Sequence, residues 1–378
     1  MNFNMKVTVK EIVGRKQLKE FVRFPNKMYK KEKFYVPTLE SADLKALDRN
    51  KNHAFEVCEA KYWMAYDESG KAAGRIAGII NRRYNEKTGL KQARFGFMDF
   101  IDDADVVRAL FDAAEGWARE KGMTSVSGPL GFLEFDPAGV LVMGFDQLPT
   151  CYGKYNYPYY EPRLLELGYA KETDWIESIV TVPFPIPDRY YRGAKLISER
   201  YKLRGFAPKS KKEMVGHFDE MARLLNKAYA DIHGFSELSD GQIEDLKKQF
   251  VPNLNPGLVG IVADENDRIV GFGISMPSLA KAMQKAKGRL FPFGFIHLHR
   301  ALRRNDTLDS LLIAVDDEYK GKGINSLIFT TIAETAEKIG IKYLETTREL
   351  EDNESVQNLW NSFEHRMVKR ARCYRKDL

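Results

Sequence analysis

The sequence predicts two tandem α/β (α+β) domains, each a mixed, mostly antiparallel sheet flanked by helices. Three observations carry that expectation. A proline-rich stretch, residues 182–187 (VPFPIP), splits the 378 residues into two halves, each of about 180 residues and the size of one ordinary domain. Both halves show the same order of strands and helices. Two hairpins also align residue for residue, DESGKAAG (67–74) over DENDRIVG (264–271), at an offset of 197. Pro183, Pro185 and Pro187 remove backbone donors and hold the chain extended, so neither a helix nor a central strand runs through. The expected domains are therefore 1–182 and 188–378.

In the first half, VTVKEIV (7–13) reads as a strand and a helix-period stretch follows to about residue 29. Residues 58–67 and 72–80 form the hairpin, and RFGFMDF (94–100) alternates as a strand does. Residues 104–121 place Val107, Leu110, Phe111, Ala114, Trp117 and Ala118 at helical spacing up to Gly122. A strand at 125–128, a short helix over 159–167 ended by Gly168, and a strand over 169–182 complete the half. In the second half, 201–206 is a strand and 213–231 a helix. The second hairpin follows, then a strand at 308–315 and a helix over 325–339 ended by Gly340. Residues 343–346 form a strand, 354–363 a helix and 369–374 a last strand. The long helices align at an offset of 218, which is 21 more than the hairpins. Residues 278–305 have no counterpart in the first half and supply the difference.

Composition excludes several classes. Hydrophobic residues make up 44% and charged residues 30%, as in a globular protein and unlike a disordered one. No apolar run reaches the roughly 18 residues of a membrane span, so no membrane partner is expected. The N-terminus lacks a basic region followed by an apolar one, so no secretion signal is expected. Cys58, Cys151 and Cys373 are too few and too scattered for a disulfide framework or a zinc site. A cytoplasmic location follows as the expectation. The net charge of +6 is mild, and nucleic acid is not an expected partner. The main basic cluster, HRMVKRARCYRK (365–376), reads either as a solvated strand and tail or as an anion site for a phosphorylated ligand.

One segment carries chemistry: LLIAVDDEYKGKGINSLIFTTIAETAEKIG (311–340). An apolar strand enters a short charged turn, then Lys320, Gly321, Lys322, Gly323, Ile324 and Asn325 open an amphipathic helix. Glycines at a helix N-terminus expose backbone N–H groups, which favour a phosphate together with the helix dipole. Lys320 and Lys322 add positive charge. The pattern is neither a P-loop nor G-x-G-x-x-G.

VDDEYKGKGINSLI resembles the acyl-CoA-binding motif of the GNAT superfamily of N-acetyltransferases: a strand ending in Val, then Arg/Gln-x-x-Gly-x-Gly/Ala opening a helix. Val315, Tyr319, Gly321, Lys322, Gly323 and Ile324 fit its common form. Lys320 stands where Arg or Gln is usual, and Asn325 where Gly or Ala is usual. The element order over roughly 192–378 is similar to a GNAT domain. The first half has the same order without the glycine loop, since IDDADVVRALF follows Phe100. Its closing segment, NYPYYEPRLLELGYAKETDW, is similar to the Tyr-x-x-x-Gly-Phe end of such a domain. The resemblance implies two GNAT-like domains, with a cofactor site in the second.

It further implies an acyl-CoA-dependent N-acyltransferase, most simply one moving acetyl from acetyl-CoA to a small-molecule or peptide amine, with no metal. The backbone of Ile313, Ala314 and Val315 would pair with pantetheine, and the loop from Lys320 to Asn325 would hold the pyrophosphate. Asn353 matches a family Asn that contacts pantetheine, and it can equally serve as a helix cap. The family often has an acid Tyr seven residues after that Asn, but here the position is Trp360. Tyr374 is the substitute candidate for the acid. Glu345 is the candidate base, with Asp309 and Glu349 as rivals. His297 and His299 lack a third ligand. Their segment, with Phe291, Phe293, Phe295 and the arginines of 300–304, is expected to pack across the cleft and line the acceptor pocket. Tyr152, Tyr155, Tyr157, Tyr159 and Tyr160 are read as core or as domain interface.

Two other functions compete. Tandem domains of this type also occur in aminoacyl-tRNA-dependent peptide transferases of cell-wall synthesis, which usually lack the glycine loop. A non-catalytic CoA-binding regulatory protein would explain Trp360, Asn325 and the missing first loop. The acceptor and the oligomeric state are not legible.

Overall fold

The computed structural model describes residues 6–150 and 153–378, so Cys151 and Tyr152 lie outside the described residues. In chain order the elements begin β1 (Thr8–Glu11), α1 (Arg15–Met28), α2 (Glu40–Ala46), β2 (Cys58–Tyr66), β3 (Ala72–Asn81), α3 (Arg82–Thr88) and β4 (Gln92–Phe100). Next come α4 (Ala104–Glu120), β5 (Ser125–Gly128), β6 (Val140–Met143), α5 (Tyr160–Glu166), β7 (Ala170–Thr181), α6 (Asp188–Tyr201), β8 (Arg204–Phe206) and α7 (Lys211–Ala228). They continue with α8 (Asp240–Phe250), β9 (Val259–Ala263), β10 (Ile269–Pro277), α9 (Ala280–Ala286), α10 (Gly294–Arg303) and β11 (Thr307–Val315). Last are α11 (Ile324–Ile339), β12 (Tyr343–Thr346), β13 (Glu349–Leu350), α12 (Glu354–Gln357) and β14 (His365–Asp377).

Two compact units result: Met1–Ile176 with Ala280–His297 and Lys369–Leu378, and Glu177–Leu279 with Leu298–Val368. Two segments that sequence order keeps in the second half therefore belong to the first unit. The physical reason is complementary polar partners. Gln284 of the insertion donates to the carbonyls of Lys33 and Tyr35. Arg370 and Arg372 of β14 both bind Asp174, at 2.8 and 2.7 Å.

In the first unit the sheet runs β1-β2-β3-β4-β5-β14, and only β4 and β5 are parallel. Successive residues of β3 alternate faces. Ile76 and Ile80 pack with Leu110, Phe111 and Ala114 of α4, while Ala77 and Ile79 pack with Phe21 and Val22 of α1. Tyr155, Tyr157, Tyr159 and Tyr160 are absorbed into this unit's cores beside Tyr29 and Tyr35. The basic cluster of β14 is solvated at its start, where His365 and Arg366 are exposed, and paired further on. Arg372 binds Asp174 and Glu161, and Lys376 binds Glu115. Although burial opposes ionisation, these arginines hold the Asp174 carboxyl down at about 2.

In the second unit the order is β8-β9-β10-β11-β12-β7, again with one parallel pair, β11 and β12. α11 buries Ile324, Leu327 and Ile328 against Val262 and Val270, and Ile332, Ala336 and Ile339 against Leu308 and Leu344. The last helix is shorter than periodicity predicts: α12 gives way at Asn358–Trp360 to a 3₁₀ turn.

The hairpin alignment is reproduced atom for atom. Asp67 Oδ1 accepts from the amides of Ser69 and Lys71, and Asp264 Oδ1 from those of Asn266 and Arg268. The left-handed position falls on Gly70 in one turn and on Asp267 in the other. The long helices end alike, with Met123 N bonding Ala118 O and Ile341 N bonding Ala336 O.

Candidate functional site

Strands β11 and β12 pair from Thr307 with Tyr343 to Ser310 with Thr346. There they part, and the Thr347 hydroxyl donates to the carbonyls of Ser310 (2.7 Å) and Leu311 (3.3 Å) at the fork. Residues 312–315 keep their antiparallel partners on β10 but have no β12 partner. Ile313, Ala314 and Val315 lie on this one-sided stretch, and the Ile313 carbonyl accepts from Tyr229 at 3.2 Å. Backbone at such an edge can pair with an extended amide-bearing ligand.

Beyond β11, Asp316 caps a 3₁₀ turn, Asp317–Tyr319, and is held by Lys227, whose ammonium lies 3.1 Å from both carboxylate oxygens. Lys320 reaches back to Asp317 at 2.6 Å. Lys322 lies over the rings of Tyr201 and Tyr319, 5.3 and 5.0 Å from their centroids. Gly321 and Gly323 are both left-handed, φ +73° and +78°. Gly323 is the N-cap of α11; no side chain caps this end and no acidic residue occupies the first turn. A Cβ on Gly323 would meet Ile197 Cδ1 at 2.6 Å. Ile324 is buried in the core, and the buried Asn325 Oδ1 has no hydrogen-bond partner among the described residues. The N–H groups of the first turn thus lack a side-chain acceptor, at the positive end of a 16-residue helix.

The equivalent place in the first unit is filled by its own chain. Asp103 caps α4, its carboxylate accepting from Asp105 N and Val106 N at 2.9 and 3.0 Å. β4 and β5 pair only to Arg94 with Ser127. Past that point Leu130 N donates to Phe95 O at 2.8 Å. A Cβ on Gly96 would lie 2.2 Å from the Leu130 carbonyl, so the returning chain lies directly on β4. Lys154 then donates to Met98 O, and the Tyr159 hydroxyl to Phe100 O.

The candidate acid and base residues separate. Tyr374 belongs to the first unit and is fully buried in its core. Its hydroxyl donates to Glu161 at 2.8 Å, and burial followed by that carboxylate pushes its pKa well up. It does not share a unit with the glycine loop. Glu345 sits on β12 between the buried Leu344 and Thr346, paired in register with Asp309 and Ile179. Asn353 caps α12, its side chain accepting from Val356 N at 3.3 Å.

Glu349 has a strongly perturbed environment. It follows the fork by two residues, is only 8% exposed, and accepts from Trp360 Nε1 at 2.8 Å. Its other oxygen has no hydrogen-bond partner among the described residues. Burial first, and the Glu177 charge as well, push its carboxyl up to about 7 against the opposing Trp360 bond. Trp360, which cannot act as an acid, thus serves to hold this carboxyl. Sequence reasoning ranked Glu349 below Glu345, and nothing local distinguishes them; the difference is burial. Thr347, at the fork, carries no sequence signal at all. The insertion also departs from expectation, since Phe291, Phe293 and Phe295 are 76%, 68% and 48% exposed instead of lining a pocket.

The second unit is thus a mixed sheet whose one parallel pair forks, with an uncapped, glycine-opened helix after β11. Residues 218–364 match the model of the Acetyltransferase (GNAT) family. Among curated relatives, it is 25% identical to Protein YghO of Escherichia coli, over 98% of this chain and 95% of that one. It is also 25% identical to the bacterial ceramide synthase of Caulobacter vibrioides, over 96% and 95%. Solved structures with the same tandem fold include a tandem GNAT protein from the clavulanic acid biosynthesis pathway (TM-score 0.56, 13% identity, 98% of each chain). The glucosamine N-acetyltransferase region of a fungal multi-domain β-N-acetylglucosaminidase also matches (TM-score 0.57, 13% identity), with 98% of this chain and 38% of that longer one covered.

Proposed function

We propose that the chain is an acyl-CoA-dependent N-acyltransferase whose donor binds the second unit alone. The observation that carries this reading is the uncapped N-terminus of α11 beside the one-sided edge of β11. The donor supplies an activated thioester carbonyl. The N–H groups that follow Gly321 and Gly323 take the pyrophosphate, with Lys320, Lys322 and Asn325 around it and Ile324 anchoring the helix. The backbone of Ile313, Ala314 and Val315 pairs with the pantetheine amides, and Asn353 adds a polar contact alongside its capping role. In this proposal the first unit is the domain without a glycine loop and the second unit the domain with one.

Glu349 takes the proton-transfer role that the resemblance gave to Glu345 and Tyr374. The acceptor nitrogen forms its bond to the acyl carbon as the carbon–sulfur bond breaks. Glu349 takes a proton from that nitrogen and returns one to the departing sulfur. A carboxyl near 7 is suited to both transfers at neutral pH. The acceptor is a primary amine. Acetyl is the simplest acyl group, and likeness to a ceramide synthase extends the range to long acyl chains on a lipid-like amine, since a ceramide is an amide of a long-chain amine.

The test is release of free thiol from acetyl-CoA and from long-chain acyl-CoA, with calorimetric binding of each donor. Saturable binding with amine-dependent thiol release supports the reading. Absence of binding for every donor at millimolar concentration defeats it, and binding without turnover across an amine panel would favour a regulatory protein.

A further inference from the structure

We propose that the insertion carried by the first unit is a docking surface for an anionic lipid bilayer. α9 and the segment after it, 280–297, contain no Asp or Glu. Lys281, Lys285 and Lys287 are exposed on it, with Arg289 beside them. Next in the chain come Phe291, Phe293 and Phe295, all exposed; the rings of Phe291 and Phe295 stand 5.8 Å apart. Adjacent large apolar side chains at that exposure mark an interaction site.

The insertion is anchored on a second basic stretch. Gln284 binds the carbonyls of Lys33 and Tyr35 at 2.8 and 3.0 Å, and Glu40 N donates to Gly288 O at 3.0 Å. Lys30, Lys31 and Lys33 of that stretch are exposed too. The two carboxylates of residues 30–40 are engaged. Glu40 binds Arg23 and Arg289, and Glu32 accepts from the Tyr155 hydroxyl. The face therefore combines protruding aromatic rings with a surround in which basic side chains outnumber acidic ones, seven to two over residues 30–40 and 280–297. Rings entering the acyl boundary and ammonium groups among anionic headgroups are the two elements of peripheral binding. A second copy of the chain is a poor occupant, because two such faces repel. This surface does not depend on the proposed reaction, and it requires no membrane-spanning helix, none of which occurs among the described residues.

The test is co-sedimentation of the full chain with vesicles of phosphatidylcholine, with and without phosphatidylglycerol, at low and high salt. The wild-type chain should sediment with the anionic vesicles and be released by salt. The triple variant Phe291→Ser, Phe293→Ser, Phe295→Ser should lose affinity about tenfold or more, and Lys281→Glu, Lys285→Glu, Lys287→Glu should lose binding altogether. Circular dichroism and thiol release with soluble substrates should match wild type, separating this surface from the active site. No sedimentation, equal binding to neutral vesicles, or undiminished binding by the phenylalanine variant would overturn the proposal. So would tighter binding to a soluble oligonucleotide that the phenylalanine variant retains, which would mark the face as a polyanion site.

Discussion

The two units share a sheet order, a hairpin turn and a helix ending, yet they treat one place in opposite ways. In the second, β11 parts from β12 after Ser310 and α11 begins at a glycine that no side chain caps. In the first, the chain after Gly128 folds back onto β4, and Asp103 places a carboxylate on the first amides of α4. That carboxylate satisfies orphan donors from within the chain, and its charge would repel a phosphate. The difference teaches that one α/β frame leaves a helix N-terminus open or closes it with its own chain through a few residues at the fork and at one cap.

The largest expected effect sharpens the second unit's role. Glu349→Gln keeps the shape and an acceptor for Trp360 but cannot carry a proton. Thiol release should fall by about 10²–10⁴-fold with donor affinity unchanged, and the wild-type rate should decline as pH falls through about 7. A stability readout accompanies it. The folded carboxyl holds its proton more tightly than the unfolded one, so its contribution is intact below about pH 4.5 and is lost as pH rises through about 7. At pH 8 Glu349→Gln should therefore be more stable than wild type, by at most about 3 kcal/mol in urea melts. A pH-independent rate, or equal stability at pH 8, would remove Glu349 from the mechanism.

A smaller effect is expected at the loop. Gly323→Asp brings a carboxylate to the amides, strains a left-handed position and pushes a Cβ onto Ile197. Donor affinity should fall more than tenfold, since charge-assisted hydrogen bonds of about 1.5–3 kcal/mol each are lost. Circular dichroism checks that the fold survives. Asn325→Gly, which removes the unpaired Oδ1, should bind as well or slightly better. Unchanged affinity in Gly323→Asp would make the loop a mere turn.

The smallest effect lies in the first unit. Asp103→Ala should cost about 1 kcal/mol of stability, the ordinary worth of a cap, and leave donor binding unaltered by calorimetry. A second donor site appearing in that variant would instead mean that Asp103 alone closes the first unit.

Local chemistry accounts for what was legible beforehand. Asp67 and Asp264 fold their turns with their own side chains, so the hairpins could be read from residues alone. The long helices end at glycines, and the glycine loop is a local pattern. Non-local pairing accounts for the rest. A strand such as β14 does not announce its partner, and only Asp174, some two hundred residues earlier, gives Arg370 and Arg372 their place. Likewise the aromatic insertion looked like pocket lining, because sequence shows apolarity and not exposure. Glu349 and Glu345 differ by burial and by the indole of Trp360, neither of which has a sequence signature.

Hydrogen–deuterium exchange of the full chain with and without a bound acyl-CoA tests the contrast between the units most directly. The account predicts slowed exchange at residues 311–315 and 321–327, and no change at 95–100 or 103–107. Protection at 95–107 with none at 311–327 would contradict it.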